Sequence, residues 1–106
     1  MTQEEKLKIE ASIVDVLRTV YDPEIPVNIY DLGLIYSIDV NEEGGVEIDM
    51  TFTAPACTAA DFILADVQTK VESLTGVTST KVNLVFEPAW DQSMMSEEAR
   101  VELGFE

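Results

Sequence analysis

"LIYSIDVNEEGGVEIDMTFT", residues 34–53, decides how the rest of this chain is read. In its first half Leu34, Tyr36, Ile38 and Val40 alternate with Ser37 and Asp39. In its second half Val46, Ile48, Met50 and Phe52 alternate with Glu47, Asp49, Thr51 and Thr53. Alternation with period two puts one apolar and one polar face on a strand. "NEEGG" between the runs supplies the turn of a hairpin. If Val40 faces Val46, antiparallel partners have numbers summing to about 86. Gly33 is then expected near Thr53, so the segment before Gly33 approaches the segment after Thr53.

Outward from the hairpin, the spacing of Ile9, Ile13, Val16, Leu17 and Val20 predicts a helix over roughly residues 3–20. Thr2 and Glu5 have capping-box spacing at its start, and Pro23 ends it by restricting Asp22. "DPEIPVNIYDLG", residues 22–33, reads as a loop stiffened by two prolines. A second helix is expected over about 59–74, with Thr58 and Asp61 at capping-box spacing. Its buried stripe is Ala60, Leu64, Val67, Val71 and Leu74. A third strand over roughly 78–87 carries Val82, Leu84 and Phe86 on one face, and Pro88 stops it. A short helix near 95–103 ends before Gly104, and Trp90 is expected to pack against it. The order α-β-β-α-β-α, with one-sided strands, predicts an α+β fold. It is a two-layer sandwich whose three-stranded mixed sheet, order 1-2-3, has helices on one face. Residues 1–106 read as one domain.

Composition narrows the function. Against 21 acidic residues stand 6 basic ones, a formal charge of −15. That argues against nucleic acid and anionic membrane as partners, which need basic patches, and it favours solubility: the acidity reads as a solvated surface first and as a docking face for a basic protein second. With no histidine, the chain has no Ser-His-Asp triad, Cys-His pair or histidine metal site. The polar, acidic start "MTQEEKLKIE" and the lack of long apolar runs point to a cytoplasmic protein.

The one cysteine, Cys57, stands between strand two and helix two. The hairpin register brings the loop bearing Asp22, Glu24 and Asp31 toward it. A helix start contributes about 0.3–1 kcal/mol, too little to shift a pKa by one unit. Nearby carboxylates oppose ionisation, so the thiol is expected mostly protonated at neutral pH unless metal or a partner binds. One thiol also falls short of the four ligands a cluster usually takes. Chemistry alone leaves two readings for Cys57: a small residue filling the helix entry, or a functional thiol. Asp22, Glu24 and Thr53 equally read as ordinary loop and strand residues.

Three stretches together resemble the SufT/PaaD-like iron–sulfur assembly domain, also found in the cytosolic iron–sulfur targeting factors. They are "DPEIPVNIYDLGLIY", "TFTAPAC" and "VNLVFEPAWDQSMMSEEARVELG", and the likeness spans about residues 9–104. The resemblance implies an α+β two-layer domain and a non-enzymatic role in assembling or targeting iron–sulfur clusters. The family's acidic-proline motif falls on Asp22, Pro23 and Glu24, continuing to Asp31, Leu32 and Gly33. Its Thr-x-x-x-Cys motif falls on Thr53 and Cys57, and its late motifs on Trp90 and on Met95 to Arg100. The implied site is therefore Cys57, Thr53, Asp22 and Glu24, with Cys57 as the ligand of iron or of a transient iron–sulfur cluster. Implied partners are iron–sulfur assembly proteins and client apoproteins. A homodimer pairing two Cys57 residues is a further option that no sequence pattern marks. Two departures stand out. Many relatives carry proline where this chain has Thr58, and the phenylacetate-degradation branch often has a cysteine-rich tail that "VELGFE" does not provide. The general assembly branch is therefore favoured. The alternative is an adaptor of the assembly machinery with a structural cysteine.

Overall fold

The computed structural model describes residues 2–21, 27–52 and 60–104. The elements are α1 (Gln3–Leu17), β1 (Ile35–Val40), β2 (Gly45–Met50), α2 (Ala60–Glu72), β3 (Ser79–Leu84) and α3 (Glu97–Leu103). Their order is the predicted one.

Thr2 caps α1 as its spacing predicts. Its hydroxyl accepts from the Glu5 amide at 3.1 Å, and the Glu5 carboxylate accepts from the Thr2 amide at 3.3 Å. The bond from the Thr2 amide, and after it one donated by the Thr2 hydroxyl to the same carboxylate at 3.1 Å, hold the Glu5 carboxyl below its usual range. α1 ends at Leu17, short of the expected Val20. The amides of Thr19 and Val20 turn back to the carbonyls of Val16 and Leu17, tightening the end into a single turn. On α2, Ile63, Val67 and Val71 are buried. Leu64 and Leu74 pack partly, and Phe62 points to solvent. The expected cap Thr58 lies outside the described residues.

β2 is central, antiparallel to β1 and parallel to β3, giving the mixed sheet in order β1-β2-β3. α1 and α2 contact each other and lie against β1 and β3 respectively. Between these layers Ile9, Ile13, Leu17, Val40, Val46, Ile48, Val67 and Val71 form the core. At the hairpin turn, the Asn41 side-chain oxygen accepts from the amides of Glu43 and Gly45, both at 2.9 Å. Gly44 supplies the left-handed conformation there, with φ 87°. β3 stops at Leu84, before the expected residue 87, because its parallel partner β2 stops at Met50. Phe86 beyond it is exposed.

The hairpin register departs from the expectation at one place. Val40 faces Val46, Ile38 faces Ile48 and Ser37 faces Asp49, as predicted. Ile35 then faces Met50, so Tyr36 is an extra residue on β1, a β-bulge. Beyond it the amide of Thr51 bonds the carbonyl of Leu34 at 2.9 Å. The expected neighbours of Gly33 and Leu34 therefore shift by one. Alternation puts Thr51 on the face away from Met50 and the helices, yet it is 2% exposed and Leu34 is wholly buried. The stretch between β3 and α3, which includes a single 3₁₀ turn at Gln92–Met94, covers this end of the outer face. Tyr36 Oη donates to the carbonyl of Pro88 at 2.8 Å, Trp90 Nε1 to that of Leu32 at 2.7 Å, and the Ser96 amide to that of Asp31 at 2.8 Å. Gly33 makes the contact possible: a Cβ there would stand 2.2 Å from the Met94 carbonyl oxygen. Trp90 thus anchors to the loop before β1, and Met95 fills the core.

Candidate functional site

The loop before β1 is pinned where it leaves and where it returns. Tyr21 and Asn28 form an isolated antiparallel bridge, and the Ile29 amide bonds the Val20 carbonyl at 2.8 Å. Asp22 and Glu24 fall in the span between these pins and lie outside the described residues. From Asn28 to Leu34 the chain folds back on itself. The Leu32 amide reaches the Asn28 carbonyl at 3.1 Å, and the Leu34 amide reaches that of Ile29 at 3.2 Å. Val27, Ile29 and Leu32 are buried beneath.

Asp31 is the described acidic residue of this loop, and its geometry is fixed on several sides. Its amide donates to Asn28 Oδ1 at 2.8 Å, and Asn28 Nδ2 donates to Asp31 Oδ2 at the same distance. Arg18, at the end of α1, places Nε 3.8 Å from Asp31 Oδ1. The same guanidinium lies 5.3 Å from the ring centre of Tyr30, within reach of a cation–π contact. Glu98 and Glu102 of α3 line the cavities beside Asp31, and Arg18 lines one of them. Sequence reading named Asp31 but not Arg18, Asn28 or Tyr30. The signal available was that Arg18 is one of only two arginines in so acidic a chain.

On the other side, β2 delivers the chain to Thr51 and Phe52, both buried, beside Leu34. The end of the segment carrying Asp31 and the start of the segment carrying Cys57 are thus neighbours across the hairpin. Thr53 and Cys57 themselves lie outside the described residues. Among the described residues no three His, Cys, Asp or Glu side chains group to hold a metal. Nor is any helix among them long and apolar enough to cross a membrane.

Around this end the C-terminal stretch adds its own fixed points. The Asp91 carboxylate accepts from the Ser93 hydroxyl, and also from the Ser93 amide at 2.7 Å. These bonds hold it below the usual aspartate range. Burial first, and then the charge of Asp91, push the Tyr36 phenol above its ordinary value.

Comparison with known proteins matches this architecture. The family model described as "Iron-sulfur cluster assembly protein" covers residues 10–84. An "Fe-S protein maturation auxiliary factor" of Porphyromonas gingivalis is 62% identical over 101 residues, which span 95% of this chain and 96% of that protein. The "Fe-S protein maturation auxiliary factor YitW" of Bacillus subtilis is 38% identical, covering 97% of this chain and 99% of that one. A crystal structure of a domain of unknown function from Bacillus anthracis superposes with a TM-score of 0.87 at 33% identity, over 93% and 94% of the two chains. The chain belongs to the iron–sulfur cluster assembly protein family.

Proposed function

We propose that this protein matures iron–sulfur proteins, handling the cluster as cargo in the segment around Cys57. The observation that carries this reading is the near full-length likeness to the Porphyromonas gingivalis maturation factor. In the proposal Cys57 is the thiolate that meets iron or the cluster, Thr53 donates a hydrogen bond to it, and Asp22 and Glu24 flank it. One cysteine and no histidine give the chain at most one strong ligand for a cluster that usually takes four. The remaining ligands would come from a donor protein, a client or a second copy. A hold so incomplete suits delivery rather than storage, and it needs no turnover chemistry. The work is placed in the cytoplasm, among assembly proteins and client apoproteins.

The test is anaerobic reconstitution followed by transfer to an apo client, with wild type compared against Cys57→Ser. The reading expects transfer to fall to background in the variant. Equal maturation by both removes the thiol from the mechanism.

A second reading is an adaptor that brings client and scaffold together, with Cys57 structural. The 21 acids against 6 bases favour it, because such a surface attracts basic proteins whatever the thiol does. Retention of the same partners by Cys57→Ala, together with full complementation of a deletion strain, would decide for it.

A further inference from the structure

The β-bulge at Tyr36 opens a groove that the cluster-handling proposal does not use. Ser37 and Asp49 face each other across the hairpin, on the side of the sheet away from Ile48, Met50 and the helices. Both line a groove of about 610 Å³. Binding clefts typically run to about 300–1,000 Å³. Its apolar lining comes from Ile35, Val85, Pro88 and Met94. Tyr36, also in the lining, closes one wall by bonding Pro88 at 2.8 Å and the Met94 sulfur at 3.4 Å. Behind that wall Gly33 packs directly on the Met94 backbone.

The rim is acidic. Asp49 and Glu87 line the groove itself. Asp39 and Glu47 continue along the outward positions of β1 and β2, where Lys81 on β3 is the basic counterpart. Asn83 Nδ2 donates to Glu47 Oε2 at 2.7 Å and to Asp49 Oδ1 at 2.9 Å. These two carboxylates are therefore held side by side despite their repulsion. An apolar floor with preset carboxylates at its edge is complementary to an apolar side chain flanked by cations. Phosphate backbones and anionic lipid would be repelled from it.

We infer that this groove docks a short basic segment of a partner protein, which seats an apolar side chain between Tyr36, Val85 and Pro88 and sets lysines or arginines over Asp49 and Glu87. The inference is independent of Cys57.

The experiment titrates the ¹⁵N-labelled full chain with three short synthetic peptides and follows amide shifts. The first has a central leucine flanked by lysines; the second replaces the leucine by serine; the third replaces the lysines by glutamates. Shifts from the first should centre on Ser37, Asp49 and Val85. The second should bind about tenfold more weakly, having lost the buried leucine. The third should not bind. Ser37→Tyr fills the groove from its exposed rim and should weaken the first peptide about tenfold with its melting temperature unchanged, whereas Cys57→Ser should bind like wild type. Shifts spread over the whole acidic surface would overturn the inference, as would equal binding of the leucine and serine peptides. Self-association of the chain through this face, with no peptide preference, would overturn it equally.

Discussion

At the turn end of the sheet, Val40, Val46 and Ile48 sit in the core with Ile13 and Val67 and are held by burial. At the opposite end, Leu34 and Thr51 are covered by a stretch whose side chains and backbone bond the carbonyls of Asp31 and Leu32. Burial is non-directional and announces itself in sequence as periodicity. Hydrogen bonds to backbone carbonyls are directional and leave no periodic trace. The end that carries the candidate site buries Ile29, Leu32, Leu34 and Phe52 as well, but its cover is fastened in this second way. Its shape therefore depends on a few specific contacts, and single changes there should alter the site without unfolding the hairpin.

The largest expected effect lies at the turn end. Ile48→Ala removes a fully buried side chain from the central strand and should cost about 2–5 kcal/mol in denaturant titrations. A loss as small as that of a surface change would mean that burial does not hold this end. Next comes Gly33→Ala. Gly33 has φ 81°, and its new methyl would meet backbone rather than a yielding side chain. We expect about 1–3 kcal/mol of destabilisation, with faster solvent exchange of the Trp90 indole proton as the covering stretch lifts. Unchanged exchange would separate the glycine from the cover.

Trp90→Phe keeps an aromatic ring but removes the donor to Leu32 together with part of the packed indole. It should cost about 1–3 kcal/mol, read as a lower melting temperature, because a buried carbonyl loses its partner. Back at the core end, Thr80 Oγ1 is buried with no hydrogen-bond partner among the described residues. Thr80→Val should therefore raise stability by about 1 kcal/mol, and a destabilised variant would point to a partner for that hydroxyl. The smallest effect concerns Asp91, whose carboxyl is held below its ordinary range by Ser93. A lowered folded pKa means that its contribution is complete above the usual aspartate range. It is lost as pH falls through the lowered folded value. The melting-temperature gap between wild type and Asp91→Asn should close under strong acid, and a gap independent of pH would assign the effect to packing.

This contrast also explains what the sequence disclosed. Alternation in residues 34–53 predicted the hairpin partners correctly from Val40 and Val46 to Ser37 and Asp49. It missed the bulge because Tyr36 is apolar enough to fit the pattern that the bulge breaks. The groove beside it was invisible for the same reason. Trp90 was expected on the last helix because nothing local marks a partner 58 positions away. Of the site, the convergence of the two chain ends was legible from the register, although the bulge moves the pairing by one residue, to Leu34 and Thr51. The Asn28–Asp31–Arg18 contacts were not, since they join a loop to the end of a helix.

Rescue of an iron–sulfur enzyme's specific activity in cells lacking this protein tests the central claim most directly. Complementation by Cys57→Ser should leave the client enzyme near the level of the empty strain, although the variant accumulates as a folded protein. Asp22→Ala, Glu24→Ala and Thr53→Ala should restore it only in part. Full client activity with Cys57→Ser would contradict the account and leave the adaptor reading in its place.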